Sequence, residues 1–449
     1  MANTLVVSVI NNTVWFAITF YVYLQTRSVF ATGVISGIFL VMTALTGVWF
    51  GSLVDRHAKK TMMQLSALVS LVLYAAALAV YRAVPEESFT DPASVALWTM
   101  IVLLMFGVIA GNIRTIALPT LVTALIEEGS RDRANGLVGS TSGVSFLVTS
   151  VFSGLLVAFG GMFWVLVLAL TALAAGVLHL AAVRMPERPA ALGMPVPVGA
   201  EPSAKSAPEH AVDLRGTIRL VREVPGLMAL IAFSAFNNFL GGVFMALIDA
   251  YGLSLVSVQV WGLLWGVLST GLIFGGLLVA RTGLSRNPVR VLLLVNLVLW
   301  TVTLLFPLRS SIILLAVGMY AYMLLVPYAE AAEQTILQKV VPYERQGRVF
   351  GFAQSVEQAA SPLTAFLISP IAQFVFIPLM TDGGAGARTI GDWFGTGADR
   401  GLALVFMLTG VIGLIATTLA LRSHPYRRLS RRISSGPATG AATAASPRP

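Results

Sequence analysis

The chain has no cysteine among its 449 residues. Disulfides, thiolate nucleophiles and cysteine-bearing metal sites are thereby excluded. Charge is nearly as scarce: Asp, Glu, Lys and Arg make up 11% of the residues, against roughly a quarter in an ordinary soluble domain. The four histidines (His57, His179, His210 and His424) are far apart, and none forms an HExxH-type pair. No Walker A sequence, metal-ligand cluster or hydrolase elbow is present, which argues against an ATP-driven pump, a metalloenzyme or a hydrolase. Without a nucleophile–base constellation, the chain reads as a non-enzyme with no cofactor, no metal and no catalytic residue.

What is abundant is apolar. Hydrophobic residues make up 57% of the chain and mean hydropathy is +0.84. No water-soluble core could hide that much apolar surface, so a polytopic membrane protein is expected. A bilayer span needs roughly 20 apolar residues. Such runs lie near 5–26, 32–54, 61–82, 94–122, 136–159 and 161–183, then 227–250, 256–280, 288–308, 311–336, 349–379 and 401–421. The first run opens almost at Met1 without a small-residue cleavage site and is taken as a mature span. Twelve helices in two groups of six follow.

The net charge of +9 could suggest nucleic acid in a soluble protein, but its distribution points to membrane topology instead. With both termini inside, Arg27, Arg82, Arg309, Arg388 and Arg400 fall outside and Arg114 lies within a span, leaving 23 of the 29 basic residues inside. That is the positive-inside pattern, expected of a bacterial-type cytoplasmic membrane protein with cytoplasmic termini. Residues 1–184 form the first six-helix unit. Residues 185–212 hold six prolines and read as an extended linker. Residues 213–422 form the second unit. It opens on an amphipathic helix with Leu214, Ile218 and Val221 on one face and Arg215, Arg219 and Arg222 on another, suited to the inner membrane surface. Residues 423–449 read as a basic, disordered tail, and the segment Thr381 to Arg400, with six glycines, as a flexible outer loop or a flap that shields the substrate.

The two groups share an internal repeat. Asn11-Asn12 recurs as Asn237-Asn238, and Gly51-Ser-Leu-Val-Asp55-Arg56 recurs as Gly276-Leu-Leu-Val-Ala280-Arg281, at offsets differing by a single residue. A duplicated unit explains both.

The segment Gly51-Ser-Leu53-Val-Asp55-Arg56-His-Ala58-Lys59-Lys60 resembles the G-x-L-x-D-R-x-G-R-K/R signature of the major facilitator superfamily, with Ala58 where that family prefers Gly and Lys59 in place of Arg. The resemblance covers the whole chain and implies two pseudo-symmetric six-helix bundles, with spans one, four, seven and ten around a central cavity. It also implies a latch on the inner side, formed by Gly51, Leu53, Asp55, Arg56, Lys59 and Lys60. The fragments Arg133-Ala-Asn-Gly136, Gln338-Lys-Val-Val-Pro342 and Gly347-Arg348-Val-Phe are similar to the drug-exporter branch that includes macrolide efflux proteins. Asp55 has no counterpart at Ala280, so the first half should carry the anionic partner of the latch.

Charges inside a span are costly and mark a pathway or a pair. Arg114 lies within span four, while Glu330 and Glu333 hold a similar depth in span ten, so either a pair between them opens and closes with the inner gate or the two glutamates project into cytoplasmic water. Glu357 lies deep in span eleven beside Gln354, Gln358 and Ser361. An apolar setting penalises the charged carboxylate, as proton coupling requires, and the same group could instead make a structural hydrogen bond. Asn11, Asn12, Trp15, Asn237 and Asn238 are candidates for the substrate cavity, and their recurrence also suits a structural role. Asp249 sits near the outer end of span seven. The expected function is proton-driven export of a hydrophobic or amphiphilic small molecule by a monomer in a lipid bilayer. An importer of a polar metabolite and a non-transporting sensor are the alternatives.

Overall fold

A computed structural model describes residues 2–26, 29–91, 93–183 and 214–434. The expected linker 185–212 and the tail beyond residue 434 lie outside the described residues. The helices are α1 (Ala2–Thr26), α2 (Val29–Arg56), α3 (Lys59–Ala83), α4 (Val95–Leu125), α5 (Arg131–Ala182), α6 (Leu214–Glu223), α7 (Leu227–Leu255), α8 (Val258–Thr282), α9 (Pro288–Leu305), α10 (Ile312–Val340), α11 (Gln346–Ile371), α12 (Ile377–Met380), α13 (Ala385–Phe394), α14 (Ala398–Arg422) and α15 (His424–Ser434). No strand occurs among the described residues. In hydrocarbon every backbone polar group must be paired within its own segment, and an uninterrupted helix does this.

Helix α5 bends at Gly161, whose φ of 61° and ψ of −165° are non-helical, giving two limbs that meet where the sequence breaks between spans five and six. Positive φ is open to glycine at little cost, so the bend is fixed by residue type. Nine helices among the described residues are long and apolar enough to cross a membrane. Helices α1, α2 and the first limb of α5 bring the long helices to twelve. The chain is an all-helical, multi-pass membrane protein of the expected fold class.

Three apolar clusters hold it together. One, containing Val14, Ile18, Tyr74 and Leu104, lies within the first half. Another, containing Tyr251, Phe306 and Phe406, lies within the second. The third bridges both halves, joining Phe50, Val54 and Ile113 to Ile336, Val349 and Phe350. It gathers at the end that carries the turn between α2 and α3, called here the signature face; the opposite end is the far face.

The duplication recurs in atomic detail. Asn11 Oδ1 accepts from the Tyr74 hydroxyl at 3.0 Å, and Asn237 Oδ1 accepts from Trp300 Nε1 at 2.9 Å, each pair separated by 63 residues. A second pair of echoes lies at the signature face. Arg131 donates to the carbonyls of Ile126 and Thr123, five and eight residues before it, and Gln346 donates to those of Val341 and Gln338 at the same separations. Both satisfy carbonyls that a helix C-terminus leaves without partners.

Three sequence expectations need correction. The apolar stripe of α6 is not wholly turned to lipid: Val221 and the adjacent Leu220 are buried against the bundle, because the cluster bridging the two halves offers them a protein surface, while Leu214 stays exposed. The tail from residue 423 is not wholly disordered, since α15 docks with Leu429 fully buried. The outer segment is not a plain flexible loop either. Helix α13 docks through Phe394, and Arg400 is buried at 1% exposure, donating to Asp399 Oδ2 (3.0 Å), the Pro307 carbonyl (3.1 Å) and the Tyr251 hydroxyl (3.1 Å). Four partners for one guanidinium, counting the Phe394 ring at 5.0 Å, offset its burial.

The two asparagine anchors yield a paired prediction. Tyr74→Phe and Trp300→Phe should each cost about 1 kcal/mol, by leaving an amide oxygen short of a donor. Thermal unfolding of the purified protein in detergent measures this. No change in either variant would show that the anchors do not stabilise the halves.

Candidate functional site

The signature loop lies where the two halves meet. Helices α2 and α11 touch backbone to backbone: a side chain at Gly51 would strike the Gly347 carbonyl, and one at Gly351 would strike the Gly47 carbonyl. That approach, possible only between glycines, brings the end of α2 to the start of α11. The Asp55 carboxylate is 1% exposed and accepts from Gly347 N at 2.6 Å and Arg348 N at 2.9 Å, with Arg348 Nε at 3.4 Å from Oδ2. The first N–H groups of a helix have no internal partner, and the helix dipole favours an anion there. Leu53 packs against the bridging cluster. Lys59 is buried with its ammonium 5.0 Å from the Tyr343 ring centre. Lys60 donates to the Ala181 and Val183 carbonyls at 3.2 and 2.5 Å, where the end of α5 favours a cation. Arg56 is exposed. Ala58 takes an ordinary φ of −58°, so the missing signature glycine is not needed at this turn.

The second copy of the interface, between α8 and α5, is built from the other side. Ala280 has no carboxylate, but Asp132 at the start of α5 accepts from Leu284 N at 2.5 Å. The preceding Gly283 has a φ of 71°, and a side chain there would crowd Asp132 Oδ2. Both anions thus belong to the first half and both sets of backbone donors to the second. Between the two latches, Asn135 Nδ2 donates to Thr335 Oγ1 (3.0 Å) and Gln338 Oε1 (2.9 Å), and Gln338 Nε2 donates to the Pro119 carbonyl at 3.0 Å. Asn135 and Gln338 are both buried. These contacts all close the signature face. Both residues stand in the loop fragments that resemble the drug-exporter branch, but no spacing in the sequence pairs them, and Asp132 and Thr335 carry no signal there.

Arg114 does not meet the glutamates. Its Nη1 donates to Asn3 Oδ1 at 2.7 Å and its Nη2 to the Met63 carbonyl at 3.1 Å, both within the first half. One residue is about 100° of helix rotation, which turns Arg114 towards α1 and α3 while Thr115 faces the other half. There Gln354 Nε2 donates to Thr115 Oγ1 at 3.1 Å. The expected ion pair is therefore replaced by neutral acceptors.

The three carboxylates cluster with one another instead. Glu333 lies beside Glu357 and Ser234, where α10, α11 and α7 come together, and Glu330 lies near enough to interact with Glu357. Glu333 and Glu357 are half-buried, whereas Glu330 is exposed. Two carboxyls that approach one another closely repel when both are charged, and sharing a proton relieves that repulsion. One oxygen of each, Glu333 Oε1 and Glu357 Oε1, is buried without a partner.

The five substrate candidates divide. Asn11 and Asn237 are committed to Tyr74 and Trp300, and Trp15 is stacked on Phe39 with ring centres 3.9 Å apart. Asn12 and Asn238 remain exposed. Near the far face, Asp249 Oδ1 accepts from Trp261 Nε1 and Trp265 Nε1 at 2.9 and 3.0 Å. No group of three or more His, Asp or Glu able to hold a metal occurs among the described residues.

The latches can be tested in pairs. Asp55→Asn should weaken closure of the signature face by about 1–3 kcal/mol, since a charge-assisted bond to two N–H groups is lost. Asp132→Asn should act in the same direction. Spin labels across that face, read by pulsed dipolar spectroscopy, should show a longer-distance population in each variant. An unchanged distribution in both would rule out the carboxylates as closing elements.

Residues 1–365 match the family model described as Major Facilitator Superfamily. No curated protein matches the chain. The solved structure of the human organic anion transporter MFSD10 (TETRAN) is similar at 14% identity, a TM-score of 0.65, 93% of this chain and 97% of that one. A bacterial homologue of the iron transporter ferroportin, in an outward-facing state, is similar at 13% identity, a TM-score of 0.65, 94% of this chain and 98% of that one. The proton:xylose symporter XylE is similar at 13% identity, a TM-score of 0.62, 94% of this chain and 95% of that one. With its fold, its signature loop and this match over most of its length, the chain belongs to the major facilitator superfamily and is a membrane transporter for small molecules.

Proposed function

We propose that this transporter exports hydrophobic or amphiphilic, drug-like molecules by alternating access, driven by protons entering in exchange. The observation that carries the reading is the cluster of three carboxylates, Glu330, Glu333 and Glu357, on two neighbouring helices, with one oxygen each of Glu333 and Glu357 buried without a partner. Such a cluster takes up one proton when it faces one side of the membrane and releases it when it faces the other. Glu357 is the coupling carboxylate, Glu333 its proton-sharing partner and Glu330 the water-accessible relay. Asn12 and Asn238 offer amides to the substrate, while scarce cavity charge favours an amphiphile over a sugar. Direction is supported by the drug-exporter resemblance of the loops around Asn135, Gln338 and Gly347.

In this reading the signature face is cytoplasmic, because basic residues concentrate there. The protein works as a monomer in the cytoplasmic membrane. The latches at Asp55 and Asp132 then hold the cytoplasmic side shut while the far side opens. Substrate binds from the cytoplasm when the latches release, and proton binding at the glutamates follows at the far side.

Two measurements test this. In proteoliposomes, Glu357→Gln should lower pH-gradient-driven transport of a lipophilic cation at least about tenfold, while exchange of labelled for unlabelled substrate without a gradient persists. Gradient-driven transport at the wild-type rate would remove the proton role. Because the chain lacks cysteine, His57→Cys should react with a membrane-impermeant maleimide only after the cells are opened, and Thr381→Cys should react on intact cells. The reverse pattern would invert the orientation.

A further inference from the structure

Two short basic helices, α6 and α15, lie on the signature face, and they differ in what surrounds their charge. Helix α15 carries Arg427, Arg428, Arg431 and Arg432 and no acidic residue. It begins just past Arg422, the last residue of α14, and so lies where the chain leaves the bilayer. Its inner side is fixed. Leu429 is fully buried, the Tyr426 hydroxyl donates to the Ala229 carbonyl at 2.6 Å, and Asn287 Nδ2 donates to Ser430 Oγ at 2.5 Å. Gly226, with a φ of 88°, lets the turn between α6 and α7 sit against Pro425, where a side chain would come within 2.5 Å of the Pro425 carbonyl.

Between that turn and α15 lies a cleft of about 540 Å³, lined by Pro225, His424, Arg428, Arg431 and Arg432. An adjoining space of about 350 Å³ shares Pro225, His424 and Arg428 and reaches Gly226 and Pro425. The floor is apolar and the walls are cationic. The space beside α6 is different: Arg215, Arg219 and Arg222 line it together with Glu223, which offsets part of their charge.

We propose that the α15 cleft holds the phosphate head group of an anionic phospholipid from the leaflet at the signature face. Guanidinium forks match phosphate oxygens in pairs, which an ammonium does not. Four or more basic residues directly after a span are attracted to an anionic leaflet. The proline floor suits the glycerol and first methylenes that follow the phosphate. Through Tyr426 and Ser430 the same helix ties the ends of α7 and α9, so a seated lipid braces the second half where it meets the leaflet. The assignment needs only membrane embedding and is independent of the transport reading above.

The test uses the full-length protein purified in detergent, with lipid retention read by native mass spectrometry. Wild type should retain phosphatidylglycerol over phosphatidylcholine of the same acyl chains by about tenfold. The triple variant Arg428→Gln, Arg431→Gln and Arg432→Gln should fall to the phosphatidylcholine level, whereas Arg215→Gln, Arg219→Gln and Arg222→Gln should leave the preference in place. Undiminished preference in the first variant, or equal loss in both, overturns the site. Displacement of phosphatidylglycerol by equimolar inorganic phosphate would assign the cleft to a soluble anion and overturn the lipid assignment. If the triple variant loses its thermal transition, Arg428→Gln alone decides: a loss of about threefold or more is expected, and no loss overturns the proposal.

Discussion

The glycine-to-glycine contact between α2 and α11 is the constraint on which the rest depends. Only where Gly47 and Gly51 meet Gly347 and Gly351 can the two backbones touch, and only then does the Asp55 carboxylate reach two unpartnered N–H groups. In hydrocarbon, apolar side chains gain little by leaving lipid for protein, so close packing and directed polar contacts decide which helices associate. The bridging apolar cluster forms around this point, and the buried amide pair Asn135–Gln338 lies beside it. Each of these contacts joins one half to the other.

Duplication did not produce two equal halves. The latches use carboxylates from the first half and backbone donors from the second, on both sides of the interface. Where Ala280 lacks the acid of Asp55, Asp132 supplies one from the opposite partner, and Gly283 takes the positive φ that Ala58 does not need. The buried charges divide in the same way. Arg114 is satisfied by the neutral oxygens of Asn3 and Met63, so it ties α1, α3 and α4 into one body. The three clustered glutamates are all in the second half, apart from that body.

Much of this was legible in the residues. Apolar runs placed twelve spans, and the repeat of Asn-Asn and Gly-x-L-V placed the pseudo-symmetry, because both depend on composition and spacing along one helix. Contacts between helices were less legible. Whether Arg114 or Thr115 faces the other half turns on about 100° of rotation, which a span apolar on every side does not reveal. Tyr74 and Trp300 share a separation with their asparagines but not a residue type, so no repeat of letters marked them. The docking of α13 and α15 was hidden for another reason. Gly-rich and Arg-rich compositions read as loop and tail, and only the buried Phe394, Arg400 and Leu429 show that a protein surface awaited them.

Those docked elements complete the division of labour. Helices α6, α13 and α15 all pack on the second half, at both of its ends. Arg400 binds the α9–α10 turn, α13 and α7 together at the far face, while α15 joins α7 and α9 at the signature face. A half that hosts a cluster of half-buried carboxylates carries a destabilising load, since each such group loses solvation without a full set of partners. The accessory helices add apolar burial and hydrogen bonds around that load, outside the path between the halves. Both ends of the second half are thus fixed by side-chain contacts, whereas the seam between the halves is fixed by a backbone approach that only glycine permits.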